Sequence, residues 1–182
     1  MKKKTLWIAE TAVMLAMLIA LQAITKPLGQ FVTGSCVNAV LGITALVAGV
    51  GSGVVVALLS PVFAYFLGIA PQILTVPAIM AGNLVFVLLL GLLLRKSAAP
   101  VWQRVAAWLT AAVAKFAVLY ALVVGVICVV AADFLLAQGT LKQPMLQALP
   151  ATFSWPQLVT ALIGGGIAIL ITPLLKKALH RQ

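Results

Sequence analysis

Long apolar runs separated by short polar or glycine-rich and proline-rich breaks occupy almost the whole chain. The breaks lie at Lys26-Pro27, 49–53, Pro71, 95–104 and 138–156. Because a transmembrane helix needs roughly 20 predominantly apolar residues, this pattern predicts six spans, at about 5–24, 32–49, 52–69, 73–94, 104–132 and 156–177. The expected fold is an all-α integral membrane bundle, with residues 1–182 forming a single six-helix transmembrane domain.

The glycine-rich break at 49–53 has two interpretations, either a tight turn between two helices or a piece of one long helix. A single helix from Val32 to Gly68 would be far longer than a bilayer requires. We therefore expect a turn at this break.

The composition agrees with a membrane protein, since 64% of the residues are hydrophobic and the mean hydropathy is +1.24. A net charge of +10 would indicate nucleic-acid binding in a soluble protein, but here the basic residues gather at the ends of the predicted spans. If the N-terminus is cytoplasmic, nine of the 12 Lys and Arg residues lie inside, two lie outside, and Lys115 lies within a span. The positive-inside rule thus predicts cytoplasmic N- and C-termini, and we expect no nucleic-acid partner.

The chain offers little for enzyme chemistry. Its single histidine is His180 in the tail, and its two carboxylates, Glu10 and Asp133, belong to opposite membrane faces. Cys36 and Cys128 have no metal-ligand spacing. No Walker motif is present, so ATP-driven work would need a partner. We expect a non-catalytic protein without a cofactor or metal.

Lys115 is the most informative polar residue. Counted from Arg104 at about 1.5 Å per residue, it lies roughly 16 Å into the membrane, close to the midplane. A lysine at this depth costs at least ~2.5 kcal/mol, so it should face a cavity, a polar partner or an anionic ligand. The alternative is that its side chain snorkels to the interface.

Four other polar residues are candidates for contact with a substrate. Asn83 lies near the depth of Lys115, although interhelical hydrogen bonding is an alternative role. Asn38 and Thr160 should lie in the outer half of the membrane, where they could line a pocket. Tyr120 is five residues beyond Lys115 and about 140° around the helix, so it need not share the same face.

The first span carries alanines at every fourth position, Ala12, Ala16 and Ala20. On a helix they form a flat ridge along which another helix can approach closely, as small residues allow in membranes. This alanine ridge either packs inside the fold or serves as a docking face for a separate membrane subunit.

The connection from 137 to 155 is the longest outer loop and contains Leu141, Leu149 and Phe153 among its apolar residues. It is either a folded lid over a cavity or on the membrane surface, or an ordinary long loop. Ser154 is positioned to cap the last helix, with Pro156 in its first turn.

Several features of the chain together resemble the S components of energy-coupling factor (ECF) transporters, which are bacterial importers of vitamins and related micronutrients. These features are the lysines at 2–4, the alanine ridge, the segment Gln22 to Gln30, the six spans and the long outer loop. The resemblance implies that Ala12, Ala16 and Ala20 dock on a transmembrane coupling subunit, and that two cytoplasmic ATPases complete the importer in the bacterial plasma membrane. It also implies an outer pocket among predicted helices four to six, capped by the loops at 25–31, 70–75 and 134–155.

Two functions remain open. The first is a non-catalytic subunit that captures a vitamin-like substrate, which would be anionic if it supplies the counter-ion that Lys115 lacks. The second is a self-sufficient small secondary transporter or channel, in which Lys115 would be an ion or proton site. The absence of a visible inverted repeat disfavours the second function.

Overall fold

The computed structural model describes residues 2–70, 72–94 and 99–179. Within these ranges the chain forms helices and no β-strand, which confirms the predicted all-α class. The helices are α1 (Lys2–Thr25), α2 (Gln30–Ile43), α3 (Val50–Phe66), α4 (Val76–Leu93), α5 (Val101–Leu119), α6 (Ala132–Ala137), α7 (Gln143–Phe153) and α8 (Trp155–Ala178). Short 3₁₀ turns lie at Lys26–Leu28 and Ile73–Thr75, and π-helical segments lie at Thr44–Ala48 and Tyr120–Val130.

In the described residues, five helical stretches are long and apolar enough to cross a membrane. They are Lys3–Leu28, Gln30–Ala48, Ile73–Leu93, Val101–Val130 and Gln143–Ala178. The third predicted span corresponds to α3, an apolar helix of 17 residues, which is about 26 Å long at 1.5 Å per residue. This is a little less than the roughly 30 Å of a hydrocarbon core, so the six-span count and the orientation of the termini stay predictions.

A turn separates α2 from α3, as the sequence predicts. Gly49 ends the π-helical segment that follows α2 and has φ +98°, a conformation that side chains other than glycine rarely adopt. The backbone therefore changes direction at Gly49 instead of continuing as one long helix.

Close approach of α2 and α8 forms the centre of the bundle. A Cβ atom at Gly164 of α8 would lie 2.5 Å from the Cβ atom of Asn38, and one at Gly42 of α2 would lie 2.6 Å from that of Ala168. Glycines at both contacts let the two backbones approach, which is how membrane helices gain van der Waals contact. Around this pair a buried apolar cluster includes Leu18, Leu41, Val56, Phe86, Val87 and Leu90.

The long connection from 137 to 155 is a folded segment rather than an ordinary loop. Its helix α7 buries Leu149 and Phe153, which belong with Leu141 to a second apolar cluster that also contains Leu119 and Val123. Because α7 is anchored on these side chains, it covers the end of the bundle at which α1 ends and α8 begins. Hereafter α7 is called the lid helix.

The prediction that Ser154 caps the last helix is wrong. Ser154 occupies the N-cap position of α8 but makes no side-chain cap hydrogen bond. Its hydroxyl donates instead to the carbonyl oxygen of Ala151, at 3.4 Å. The reason is that Ser154 directly follows the lid helix and its side chain turns back to that helix. Pro156 lies in the first turn of α8, as expected.

Candidate functional site

Three buried polar side chains from three different helices meet in the interior. Lys115 of α5 is 3% exposed, and Asn38 of α2 and Asn83 of α4 are each 1% exposed. The Lys115 Nζ donates hydrogen bonds to Asn38 Oδ1 at 2.5 Å and to Asn83 Oδ1 at 2.7 Å. Lys115 therefore does not snorkel, and its ammonium stays near the middle of the Val101–Val130 stretch. These three residues are called the lysine cluster.

Three further contacts fix the geometry of the lysine cluster. The Asn38 Nδ2 donates to Thr160 Oγ1 at 3.4 Å, and the Thr160 hydroxyl donates to the carbonyl oxygen of Gln157 at 3.1 Å. The Phe86 ring lies with its centroid 5.5 Å from the Lys115 Nζ, which favours a cation at this place. Thr160 is thus connected to the cluster through Asn38.

Tyr120 does not join the other candidate residues. Its side chain is 45% exposed, and its ring contacts the Phe116 ring at a centroid distance of 5.8 Å. It is absent from the lining of the cavity described below. Its position about 140° around the helix from Lys115 accounts for this separation.

The lysine cluster forms part of the wall of a cavity of about 370 Å³. The cavity is lined by Gln22, Lys26, Gly29, Gln30, Thr33, Gly34, Val37, Asn38, Ala64, Gly68, Ile69, Ala70, Ile79, Asn83, Lys115, Thr152, Phe153 and Gln157. Residues from the segments that follow α1 and α3 and from the lid helix surround it at one end of the bundle. A volume of this size lies within the usual range for a small-molecule site.

The resemblance placed the loop at 25–31, which contains Lys26 and Gln30, over the pocket, but sequence reasoning missed Gln22 of α1. Gln22, Lys26 and Gln30 recur every four residues along the end of α1 and the start of α2, and all three line the cavity. This spacing could have indicated that the three side chains share one face, but the segment is equally typical of the polar end of a span. Gln157, which also lines the cavity, lies three residues before Thr160, nearly one turn along α8.

The end of the lid helix is held against the start of α2. The Gln30 Nε2 donates to the carbonyl oxygen of Thr152 at 2.8 Å, and the Gln157 Nε2 donates to the same oxygen at 3.3 Å. The rings of Phe31 and Trp155 contact each other beside these bonds, with centroids 5.4 Å apart. The lid helix is therefore attached to the rest of the cavity wall by polar contacts near the surface.

The electrostatic character of the cavity is positive. Lys115 and Lys26 line it, whereas the two carboxylates of the chain, Glu10 and Asp133, do not. An ammonium in an apolar environment without a nearby carboxylate is stabilised by the amide oxygens of the lysine cluster and by any anion that enters.

The alanine ridge lies on the outside of the bundle. Ala12, Ala16 and Ala20 are all exposed, and Ala9 and Ala23, which fall on the same side of α1, are exposed as well. The opposite side of α1 is buried through Thr11, whose hydroxyl is within 2.8 Å of that of Ser52 in α3, and through Leu18. In the described structure the alanine ridge is therefore not packed inside the fold.

A bundle of apolar helices around a largely apolar cavity with a few buried polar side chains is the architecture of a membrane protein that binds a small molecule. The family model for "ECF transporter, substrate-specific component" matches residues 10–176, and the chain belongs to this family. It is therefore a non-catalytic, substrate-specific subunit of a transporter, as the sequence resemblance indicated. No curated protein and no solved structure gives a significant match.

Proposed function

We propose that this subunit captures a vitamin or related micronutrient at the outer face of a bacterial plasma membrane and delivers it by docking on a transmembrane coupling subunit that carries two cytoplasmic ATPases. The observation that carries the proposal is the lysine cluster in the wall of a cavity covered by the lid helix. A buried ammonium is costly in a membrane, and an anionic group of a ligand in the cavity would offset part of that cost.

Within this proposal Lys115 contacts the substrate directly. Two of its three ammonium protons are directed to Asn38 and Asn83, which leaves the third for a group in the cavity. Asn83 and Asn38 hold the ammonium in place and line the same cavity, so they are substrate-binding residues too. Thr160 orients Asn38 and serves the site through it.

The proposed orientation places the cavity outward. The cavity lies at the end of the bundle that contains Gln22, Lys26 and the lid helix. Lys3 and Lys4 lie in the first turn of α1 at the opposite end, and Lys176 and Lys177 lie in the last turn of α8. By the positive-inside rule the end that carries these four lysines is cytoplasmic.

The alanine ridge is the proposed docking face. It is exposed along α1, whereas the cavity is lined by Gln22 and by the exit of that helix. Binding of substrate and docking on the coupling subunit thus use different surfaces of the same element. Bulk on the ridge should prevent close approach of a partner helix without filling the cavity.

Affinity purification of the tagged chain from its native membranes tests this proposal. The wild-type protein should bring down a larger membrane subunit and two ATPases together with a small molecule. Ala12→Leu combined with Ala16→Leu should lose these proteins and uptake but keep the small molecule. Ala117→Leu, an exposed alanine on α5, is the matched control and should keep both. Equal loss of small molecule and partners in the double variant would make the ridge part of the fold instead.

A further inference from the structure

One side of α2 forms a continuous part of the cavity wall. Gln30, Thr33, Gly34, Val37 and Asn38 all line the cavity, and their spacing of three and four residues places them on one face of the helix. Asn38 belongs to the lysine cluster, and Gln30 lies eight residues before it, about 12 Å along the helix axis. The wall along α2 therefore extends about 12 Å from the lysine cluster to the end of the lid helix.

The polar side chains near the lid helix are used in contacts within the protein. The Gln30 and Gln157 side chains both donate to the carbonyl oxygen of Thr152, and the Thr33 hydroxyl donates to that of Thr25 at 2.9 Å. Gln30 is also exposed, so water competes for its remaining hydrogen-bonding groups. A polar group on a ligand therefore gains little at this end of the cavity.

Six apolar side chains line the same cavity. They come from α2, α4, the lid helix and the end of α3 with the segment that follows it, and they are Val37, Ala64, Ile69, Ala70, Ile79 and Phe153. These six residues are called the apolar wall. Each belongs to, or packs against, a buried apolar cluster, which holds it in place. Ile79 lies one turn before Asn83 on α4, about 6 Å along the axis toward the lid helix, so the part of a ligand next to a group bound at the lysine cluster contacts hydrocarbon.

Charge restricts the ligand further. Lys115 is buried, whereas Lys26 is exposed and its Nζ donates to the carbonyl oxygen of Leu67 at 2.7 Å. Neither carboxylate of the chain lines the cavity. An ammonium beside the carboxylate of a ligand would lie close to Lys115 without a compensating anion, and a second carboxylate against the apolar wall would lack a buried partner. The cavity thus favours a ligand with one negative charge and no positive charge.

We propose that the substrate is an amphipathic monocarboxylate, whose carboxylate binds Lys115 and whose uncharged, largely hydrocarbon body lies against the apolar wall. This assignment excludes amino acids and short dicarboxylates, which a positively charged cavity alone would admit. At about 30 Å³ per water molecule, a cavity of about 370 Å³ has room for on the order of a dozen non-hydrogen atoms. The inference rests on the proposed function and narrows its substrate class.

Six simple probes test this assignment on the purified full-length protein in detergent. They are propionate, hexanoate, octanoate, adipate, 2-aminohexanoate and hexan-1-ol. Each Kd is measured by equilibrium dialysis, with protein-free micelles of the same detergent as the correction for partition. We expect Kd to fall roughly three- to fourfold for each methylene added from propionate to octanoate, as burial of a methylene requires. Hexanoate should bind at least about tenfold more tightly than adipate, 2-aminohexanoate or hexan-1-ol, because each of these adds an unpaired charge or lacks the carboxylate.

Variants at Ile79 connect the dependence on chain length to the apolar wall. Ile79→Thr shortens the side chain and adds a hydroxyl, so it should weaken hexanoate and octanoate about three- to tenfold while propionate, which ends before this position, is unaffected. Ile79→Leu keeps the apolar character and should retain the dependence. Ile127→Thr is the matched control, because Ile127 is also partly buried against the cluster that contains Phe153 but lies outside the cavity lining. It should leave all Kd values unchanged.

The assignment is overturned if Kd does not depend on chain length, if adipate or 2-aminohexanoate binds as tightly as hexanoate, or if none of the six probes binds. It is also overturned if Ile79→Thr weakens propionate as much as octanoate, or if Ile127→Thr has the same effect as Ile79→Thr. None of these outcomes affects copurification of the coupling subunit and ATPases, so failure of the substrate class is distinguishable from failure of the proposed function.

Discussion

Replacement of Lys115 by methionine is the sharpest perturbation of the site. Methionine keeps the length and apolar bulk of the side chain while it removes the charge and the two hydrogen bonds to Asn38 and Asn83. The effects on folding and on binding should therefore separate.

For folding, two terms of similar size oppose each other. Removal of the buried ammonium recovers at least ~2.5 kcal/mol of insertion cost. The two amide oxygens that lose their donor cost about 1–3 kcal/mol each when they stay unpaired. Because Asn38 and Asn83 both line the cavity, water can reach their oxygens and reduce that penalty. We expect the melting temperature in detergent to stay within about 4 °C of the wild-type value.

For binding, nothing compensates the loss. One charge-assisted hydrogen bond is worth ~1.5–3 kcal/mol, so the affinity should fall by roughly tenfold to a hundredfold. Lys115→Arg should restore it only in part, because a planar guanidinium does not replace a compact ammonium. The assay is the Kd for the molecule that denaturation releases from purified wild-type protein. Lys142→Met, at an exposed lysine outside the cavity lining, is the control and should bind normally.

The reasoning fails if Lys115→Met binds that molecule with unchanged affinity while the protein stays folded. It also fails if the molecule carries no anionic group. Lys115 would then have only a structural role, through its hydrogen bonds to Asn38 and Asn83.

The remaining predictions concern packing and orientation. Gly164→Ala should destabilise the protein by about 1–3 kcal/mol and weaken binding, because the added Cβ atom would meet the backbone and Asn38 of α2; an unchanged melting temperature would refute this packing. Gly125→Ala, where nothing lies within 4 Å, is its control and should be tolerated. After replacement of Cys36 and Cys128, a cysteine at Gln143 should be labelled only from outside the cell and one at Ser97 only from inside. The opposite labelling pattern would overturn the orientation and the outward cavity.

The position of each polar residue along its helix, and the angle of about 140° between Lys115 and Tyr120, follow from the sequence, but which side of a helix faces the cavity does not. Distance along a helix is fixed at about 1.5 Å per residue, so Lys115 and Asn83 were both placed near the middle of their spans. Which side of α5 faces the cavity depends on how α5 packs against α4 and α8. This is why Lys115 meets Asn83, whereas Tyr120, at a favourable depth, is exposed beside Phe116.

The cavity wall beside the lid helix depends on tertiary contacts that local sequence does not encode. Gln22 and Gln30 could equally have been the solvated ends of two spans, and only the approach of α1, α2 and the lid helix places both in the cavity wall. The same applies to Ser154, whose hydroxyl bonds back to the lid helix because the two helices are joined without a linker. By contrast, the turn at Gly49 was predictable, since bilayer thickness limits the length of a span.

Transport in proteoliposomes tests the central claim most directly. The tagged chain is purified once alone and once with the proteins that accompany it, and each preparation is reconstituted with the small molecule released from the wild-type protein. The account predicts ATP-dependent accumulation of that molecule with the assembly and none with the chain alone. Accumulation by the chain alone would contradict it and identify a self-sufficient transporter instead.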